Sequence, residues 1–255
     1  MSTVININNK SIPSLISVLL ITASLVGCTG IGTKDPEAAN YNSELGIRYL
    51  QQGRLKLAND KLLKSLEQNP NSAQSNHYYA LLQERLEQPI KATKYFEKAI
   101  RIAPKDPELR NNYGSFLCKN SRPQAAVKQF LTAVKDPLYS TPEFAYANAA
   151  ICLRKVSPTN PQAEKYFRLA LKKSPSFPSA LLGMASIYKD QGNYSKAQAF
   201  MLRYESVGKS TPEALKLCTI INTKTKNHAK ASSCQSALLR LFPSSPEAEQ
   251  ISKSL

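Results

Sequence analysis

The chain has 255 residues, with 34 Lys and Arg against 18 Asp and Glu and a formal net charge of +16. That length suffices for one elongated domain with a continuous core, and the basic balance points to an anionic partner or a membrane. The two histidines, His77 and His228, stand in different segments without a carboxylate pair. No Gly-rich phosphate loop, metal-ligand cluster or nucleophile elbow occurs, which argues against an enzyme, a metal site or a cofactor.

Residues 12–26 form an apolar run, preceded by Lys10 and followed by Gly27 and Cys28. At about 15 residues the run is short for a membrane span and suits the hydrophobic region of a signal segment. Leu25-Val26-Gly27-Cys28 looks like a bacterial lipobox. That resemblance implies removal of residues 1–27 and acylation of Cys28, with several acyl chains giving durable anchoring where one would bind only marginally. Thr29, standing where an Asp would signal retention, suggests the outer membrane by analogy with enteric sorting. Residues 28–38 read as a lipidated tether. The removed segment holds one Lys and no acid, so the net charge stays near +15. An exported protein rarely meets nucleic acid, so none is expected as a partner. The cations are scattered (Lys61, Lys64, Lys91, Lys94, Lys98), and each singly reads as part of a solvated helix face.

From residue 39 onward a period dominates. Ala58, Ala92 and Ala126 are 34 residues apart, as are Ala163, Ala197 and Ala231. Four residues after each comes Leu62, Phe96, Phe130, Phe167, Met201 or Gln235. Upstream runs a second small column, Gly46, Ala80, Gly114, Ala150, Ala185 and Thr219, beside the mostly apolar Leu45, Tyr79, Tyr113, Ala149, Met184 and Cys218. Small residues allow two antiparallel helices to approach, and the bulky residue one turn on is expected to fill the gap toward the next unit. Ser65, Ala99, Ala133 and Ala170 lie three residues past the bulky position on the same face. Pro70, Pro104, Pro175 and Pro243 are expected to stop the second helices. The pattern resembles the tetratricopeptide repeat. It implies an all-α, right-handed superhelical solenoid of six helix–turn–helix units, about 39–72, 73–106, 107–140, 143–177, 178–211 and 212–245, with 246–255 as a C-terminal cap or tail. The 37-residue step from Ala126 to Ala163 implies extra residues near Leu138–Pro142 and in the Ser157–Pro161 turn. The more polar last units fit a terminal repeat with nothing stacked on its outer face.

Beyond Cys28 four cysteines remain, an even number in an exported chain. The repeat register places Cys118 and Cys152 on the first helices of adjacent units, and Cys218 and Cys234 on the two helices of the last unit. The expected disulfides are therefore Cys118–Cys152 and Cys218–Cys234. In this architecture the first helices line the inner face. The expected partner contacts are Ser43, Ile47 and Leu50, then His77, Leu81 and Glu84, then Asn111 and Ser115. Leu57 and Leu63, apolar residues outside the core columns, are expected to contribute to a groove.

Longer stretches narrow the resemblance. Leu45-Gly46-Ile47-Arg48-Tyr49-Leu50-Gln51-Gln52-Gly53, Asn111-Asn112-Tyr113-Gly114-Ser115-Phe116-Leu117-Cys118, the run from Pro142 to Cys152 and Ala163-Glu164-Lys165-Tyr166-Phe167-Arg168-Leu169-Ala170-Leu171 are similar to the type IV pilus biogenesis and stability lipoproteins, the PilF/PilW pilotins. Membership implies a lipid-anchored monomer on the periplasmic side of the outer membrane. It also implies binding to the secretin subunit and help with its localisation and multimerisation. Two other roles stay open: an adaptor for outer-membrane protein assembly and an organiser of cell-wall enzymes.

Overall fold

The computed structural model describes residues 35–253. The expected signal segment, Cys28 and the expected tether up to residue 34 lie outside the described residues. Thirteen helices and no strand occur within them. Twelve pair as hairpins: α1 (Pro36–Gln51) with α2 (Leu55–Gln68), α3 (Ala73–Arg85) with α4 (Pro89–Ile102), and α5 (Pro107–Lys119) with α6 (Pro123–Ala133). The others are α7 (Pro142–Val156) with α8 (Pro161–Lys173), α9 (Pro178–Asp190) with α10 (Tyr194–Glu205), and α11 (Pro212–Lys224) with α12 (His228–Leu241). A short α13 (Pro246–Ser252) follows. The architecture is a solenoid of six tetratricopeptide-type hairpins.

Local chemistry sets the boundaries. Proline opens nine helices, among them α1, α5, α7 and α9, where its missing N–H removes no hydrogen bond and its fixed φ suits the first turn. Asp35, Ser72, Asp106, Thr211 and Ser245 cap the helices that follow them by accepting a backbone N–H. The Asp35 cap starts α1 at Pro36, inside the segment read from sequence as tether. Second helices α2, α4, α8 and α12 end just before Pro70, Pro104, Pro175 and Pro243. Both sites of extra residues are visible: residues 134–141 join α6 to α7, and residues 157–160 join α7 to α8.

The six phased alanines are buried, five of them at 0% exposure. The bulky position does more than fill the space toward the next unit. A Cβ added to Gly46 would lie 2.5 Å from Leu62 Cγ, and one on Gly114 would lie 2.7 Å from the Phe130 ring. The large side chain thus lies over the small residue of its own first helix. It also reaches onward: Phe96 sits 5.2 Å from both Tyr113 and Phe116 of the next unit. Burial of each such side chain contributes about 1.5–3 kcal/mol.

Successive first helices α5, α7, α9 and α11 touch one another, as do α1 and α3, whereas no two second helices pack closely. The first helices therefore form the inner layer. The final hairpin does not end bare. Leu238, Ala248 and Ile251 form a small core with Leu215, Leu239 and Phe242 packed on it, so α13 covers the last repeat.

Candidate partner-binding groove

On the inner layer, α1 and α3 leave a groove of about 500 Å³ lined by Ile47, Leu50, Gln51, Gly53, Leu81, Glu84, Arg85 and Lys119. Ile47 and Leu50 are one turn apart on α1, and Leu81 and Glu84 occupy the same positions on α3. Their side chains are half-buried, which leaves an apolar floor open to solvent. The rim is charged: Lys119 Nζ of α5 lies 3.4 Å from Glu84 Oε1. Gly53, at φ 73°, makes the turn that closes the groove at the end of α1.

Four of the expected contacts, Ile47, Leu50, Leu81 and Glu84, come together here. Ser43, His77 and Asn111 do not. Each lies a turn nearer the helix N-terminus, where the side chain meets the following first helix. Ser43 is fully buried; its hydroxyl donates to Asn40 O at 2.8 Å and Gln74 Oε1 at 3.2 Å. Asn112 Nδ2 donates to His77 Nε2 at 3.1 Å, and Asn148 Nδ2 donates to Asn111 Oδ1 at 3.1 Å. These residues form a ladder of polar bonds between repeats. His77 is held at 5% exposure beside Tyr78 and Phe96, and burial lowers its pKa from 6.5 to about 4, against a smaller opposing pull from Asp106. Ser115 is exposed on the inner layer and donates to Asn111 O, outside the groove. Leu57 and Leu63 also stay outside it. They belong to the outer helix α2, and six residues at 100° each set them about 120° apart.

Sequence reasoning missed Gln51, Gly53, Arg85 and Lys119, which sit at or just past helix ends. It also missed a neighbouring cleft of about 450 Å³ where Leu138, Tyr139 and Phe144 face Asp106, Glu108, Asn111 and Asn112. The longer connection at residues 134–141 builds that wall, so the extra residues were its signal. Burial pushes the Tyr139 phenol above its ordinary value, and the carboxylates of Glu108, Glu143 and Asp106 add to the effect.

The sulfur atoms of Cys118 and Cys152 are paired with Cα atoms 5.7 Å apart, and those of Cys218 and Cys234 with Cα atoms 6.0 Å apart. Both separations lie within disulfide range. Glu205 brings a third potential ligand atom to the second pair, but sulfurs bonded to each other offer a metal no thiolate.

Models of the tetratricopeptide repeat match residues 43–107, 95–128 and 178–206. The type IV pilus assembly protein PilF of Pseudomonas aeruginosa is 28% identical over 242 residues, 91% of this chain and 95% of that protein. The solved structure of PilW, described as a widely conserved type IV pilus biogenesis factor, superposes with a TM-score of 0.76 at 27% identity, covering 85% of this chain and 99% of that one. The chain is homologous to PilF and PilW. The solved P. aeruginosa PilF agrees equally well, at TM-score 0.76 and 27% identity over 86% of this chain. A repeat protein from Parabacteroides merdae, 16% identical with a TM-score of 0.64, shares the fold. Nearly the whole length of PilF and PilW corresponds to this chain, which shares their tetratricopeptide fold. No helix among the described residues is long and apolar enough to cross a membrane.

Proposed function

We propose that this chain is a lipid-anchored scaffold for type IV pilus biogenesis and acts as a pilotin. Acylated Cys28 tethers the solenoid to the periplasmic side of the outer membrane. Its inner groove holds a segment of a secretin subunit, raises the local subunit concentration and so favours ring formation. The observation that carries the reading is the open apolar groove of Ile47, Leu50 and Leu81, in a chain that matches PilF and PilW over nearly their whole length. An apolar helix face or an extended segment from the partner fits such a surface, with Glu84, Arg85 and Lys119 selecting polar groups at the rim. In this reading Cys118–Cys152 and Cys218–Cys234 are oxidised in the periplasm, and the protein works as a monomer.

Deletion is expected to leave secretin monomers outside the outer-membrane fraction and to abolish twitching. The double substitution Leu50→Asp and Leu81→Asp, at normal protein level and with normal helical content, should do the same. Normal secretin multimers in either strain would eliminate the proposal. Broad porin loss would favour an outer-membrane assembly adaptor instead, and co-purified cell-wall hydrolases would favour a cell-wall adaptor.

A further inference from the structure

The positive charge is unevenly placed. The six outer helices α2, α4, α6, α8, α10 and α12 carry sixteen Lys and Arg against five Asp and Glu. The six inner helices carry nine against seven. On α4, Lys91, Lys94 and Arg101 are exposed along one stripe, and on α8 Lys165, Lys172 and Lys173 are exposed. None of these six makes an ion pair among the described residues.

The same layer carries bare aliphatic side chains, each beside a cation. Ile90 is 87% exposed next to Lys91, Leu202 is 60% exposed next to Arg203, and Leu241 is 46% exposed next to Arg240. Leu63 beside Lys64 and Ile102 beside Arg101 repeat the pairing. Single exposed aliphatic residues are ordinary on a soluble surface, but here five of them lie within the basic layer. Scattered apolar residues within a basic field suit the boundary between lipid headgroups and acyl chains, where cations meet phosphate and aliphatic groups enter the hydrocarbon edge. An anionic polysaccharide would use the charges and leave the aliphatic groups in water.

We propose that the outer helical face docks on an anionic lipid bilayer, laying the solenoid against the membrane with its groove turned away. This contact needs neither an acyl chain on Cys28 nor an occupied groove. Its failure would therefore leave the pilotin reading untouched.

Residues 34–255 form a compact unit with its own core and lack Cys28, so they can be tested without lipidation. Co-sedimentation with vesicles of phosphatidylglycerol and phosphatidylcholine is compared with phosphatidylcholine alone, at low and high salt. Binding is expected to the anionic vesicles only, and to fade at high salt. The charge reversal Lys91→Glu, Lys94→Glu and Arg101→Glu should weaken it at least ~10-fold. The pair Ile90→Ser and Leu202→Ser, which changes no charge, should weaken it roughly fivefold. Circular dichroism checks that both variants fold. Equal binding to neutral vesicles, or charge-reversed protein that binds like wild type, would overturn the proposal. So would pelleting with purified peptidoglycan sacculi but not with vesicles.

Discussion

Two buried residues test how tightly successive repeats pack. A Cβ on Gly183 would overlap the buried Phe167 ring of the preceding hairpin, and that ring can yield only toward the cleft it lines with Ile151 and Leu182. Replacing glycine by alanine inside a helix ordinarily stabilises by about 1 kcal/mol. Here overpacking of about 1–3 kcal/mol opposes that gain. Gly183→Ala is therefore expected to lower the melting temperature by a few degrees, and a variant at least as stable as wild type would disprove the close approach. His77 makes a pH prediction. Its folded pKa, about 4, lies below the ordinary 6.5 because burial disfavours the charged ring. Between those values the unfolded chain binds a proton that the folded one refuses, so stability falls as pH drops from about 6.5 to 4. At pH 5 the cost is about 2 kcal/mol. His77→Gln should lose less stability than wild type between pH 7 and pH 5 in thermal melts. Parallel pH profiles would show that the ring titrates freely. Gly183 shows where sequence reading stopped. The phased alanines were legible because every unit needs a small residue at that height, whereas Gly183 corresponds to Asn148, Asn112 and Tyr78 in earlier units and so carries no period. His77 shared a column with Ser43 and Asn111, but sequence could not say that the next helix covers that column.

At the scale of the element, the hairpin turns share a backbone requirement that composition hides. Gly53, Glu87, Ser121, Gly192 and Lys226 all take positive φ, between 57° and 73°, at the matching point of five turns. Only two of the five are glycine. The fourth hairpin, with the longer connection at residues 157–160, uses a different turn. The left-handed conformation costs a side-chain-bearing residue roughly 1–2 kcal/mol, partly offset by the entropy that glycine loses on folding. Glu87→Gly and Lys226→Gly should each raise stability by about 0.5–1 kcal/mol, read as a later denaturation midpoint with unchanged slope. Lowered midpoints for both would show that the turns are unstrained. Sequence alone gave the hairpins because prolines and caps punctuate them. It could not give the turn geometry, since Glu, Ser and Lys advertise nothing about φ. It left 246–255 as a cap or tail without choosing between them, because residues 246–252 carry too few apolar positions to show a helical period before Ala248 and Ile251 are seen against Leu238.

For the whole solenoid, stability is a sum of repeat and interface terms, and the weakest interface sets where the array comes apart. Helix α7 is where the two largest cores meet. Its Ala145, Ala149 and Cys152 belong to the core built around Phe96, Phe116 and Phe130, while Ala147 and Ala150 belong to the core built around Phe167, Met184 and Ile221. Alanine offers little apolar area to either side, and Tyr166 of α8 packs against both cores, so they are coupled through α7 and that ring. The longest hairpin-to-hairpin connection, residues 134–141, adjoins it. The Cys118–Cys152 link, spanning 34 residues, pins α7 to α5 across this stretch, and closing a loop of that size contributes about 3–4 kcal/mol. Removing it should uncouple the halves. In Cys118→Ser with Cys152→Ser, amide exchange is expected to separate into two cooperative units, residues 36–133 opening at lower free energy than residues 142–252. The oxidised wild type should open the two halves at nearly equal free energy. A variant that still exchanges as one unit, with the same free energy throughout, would place the coupling in packing through α7 and not in the disulfide.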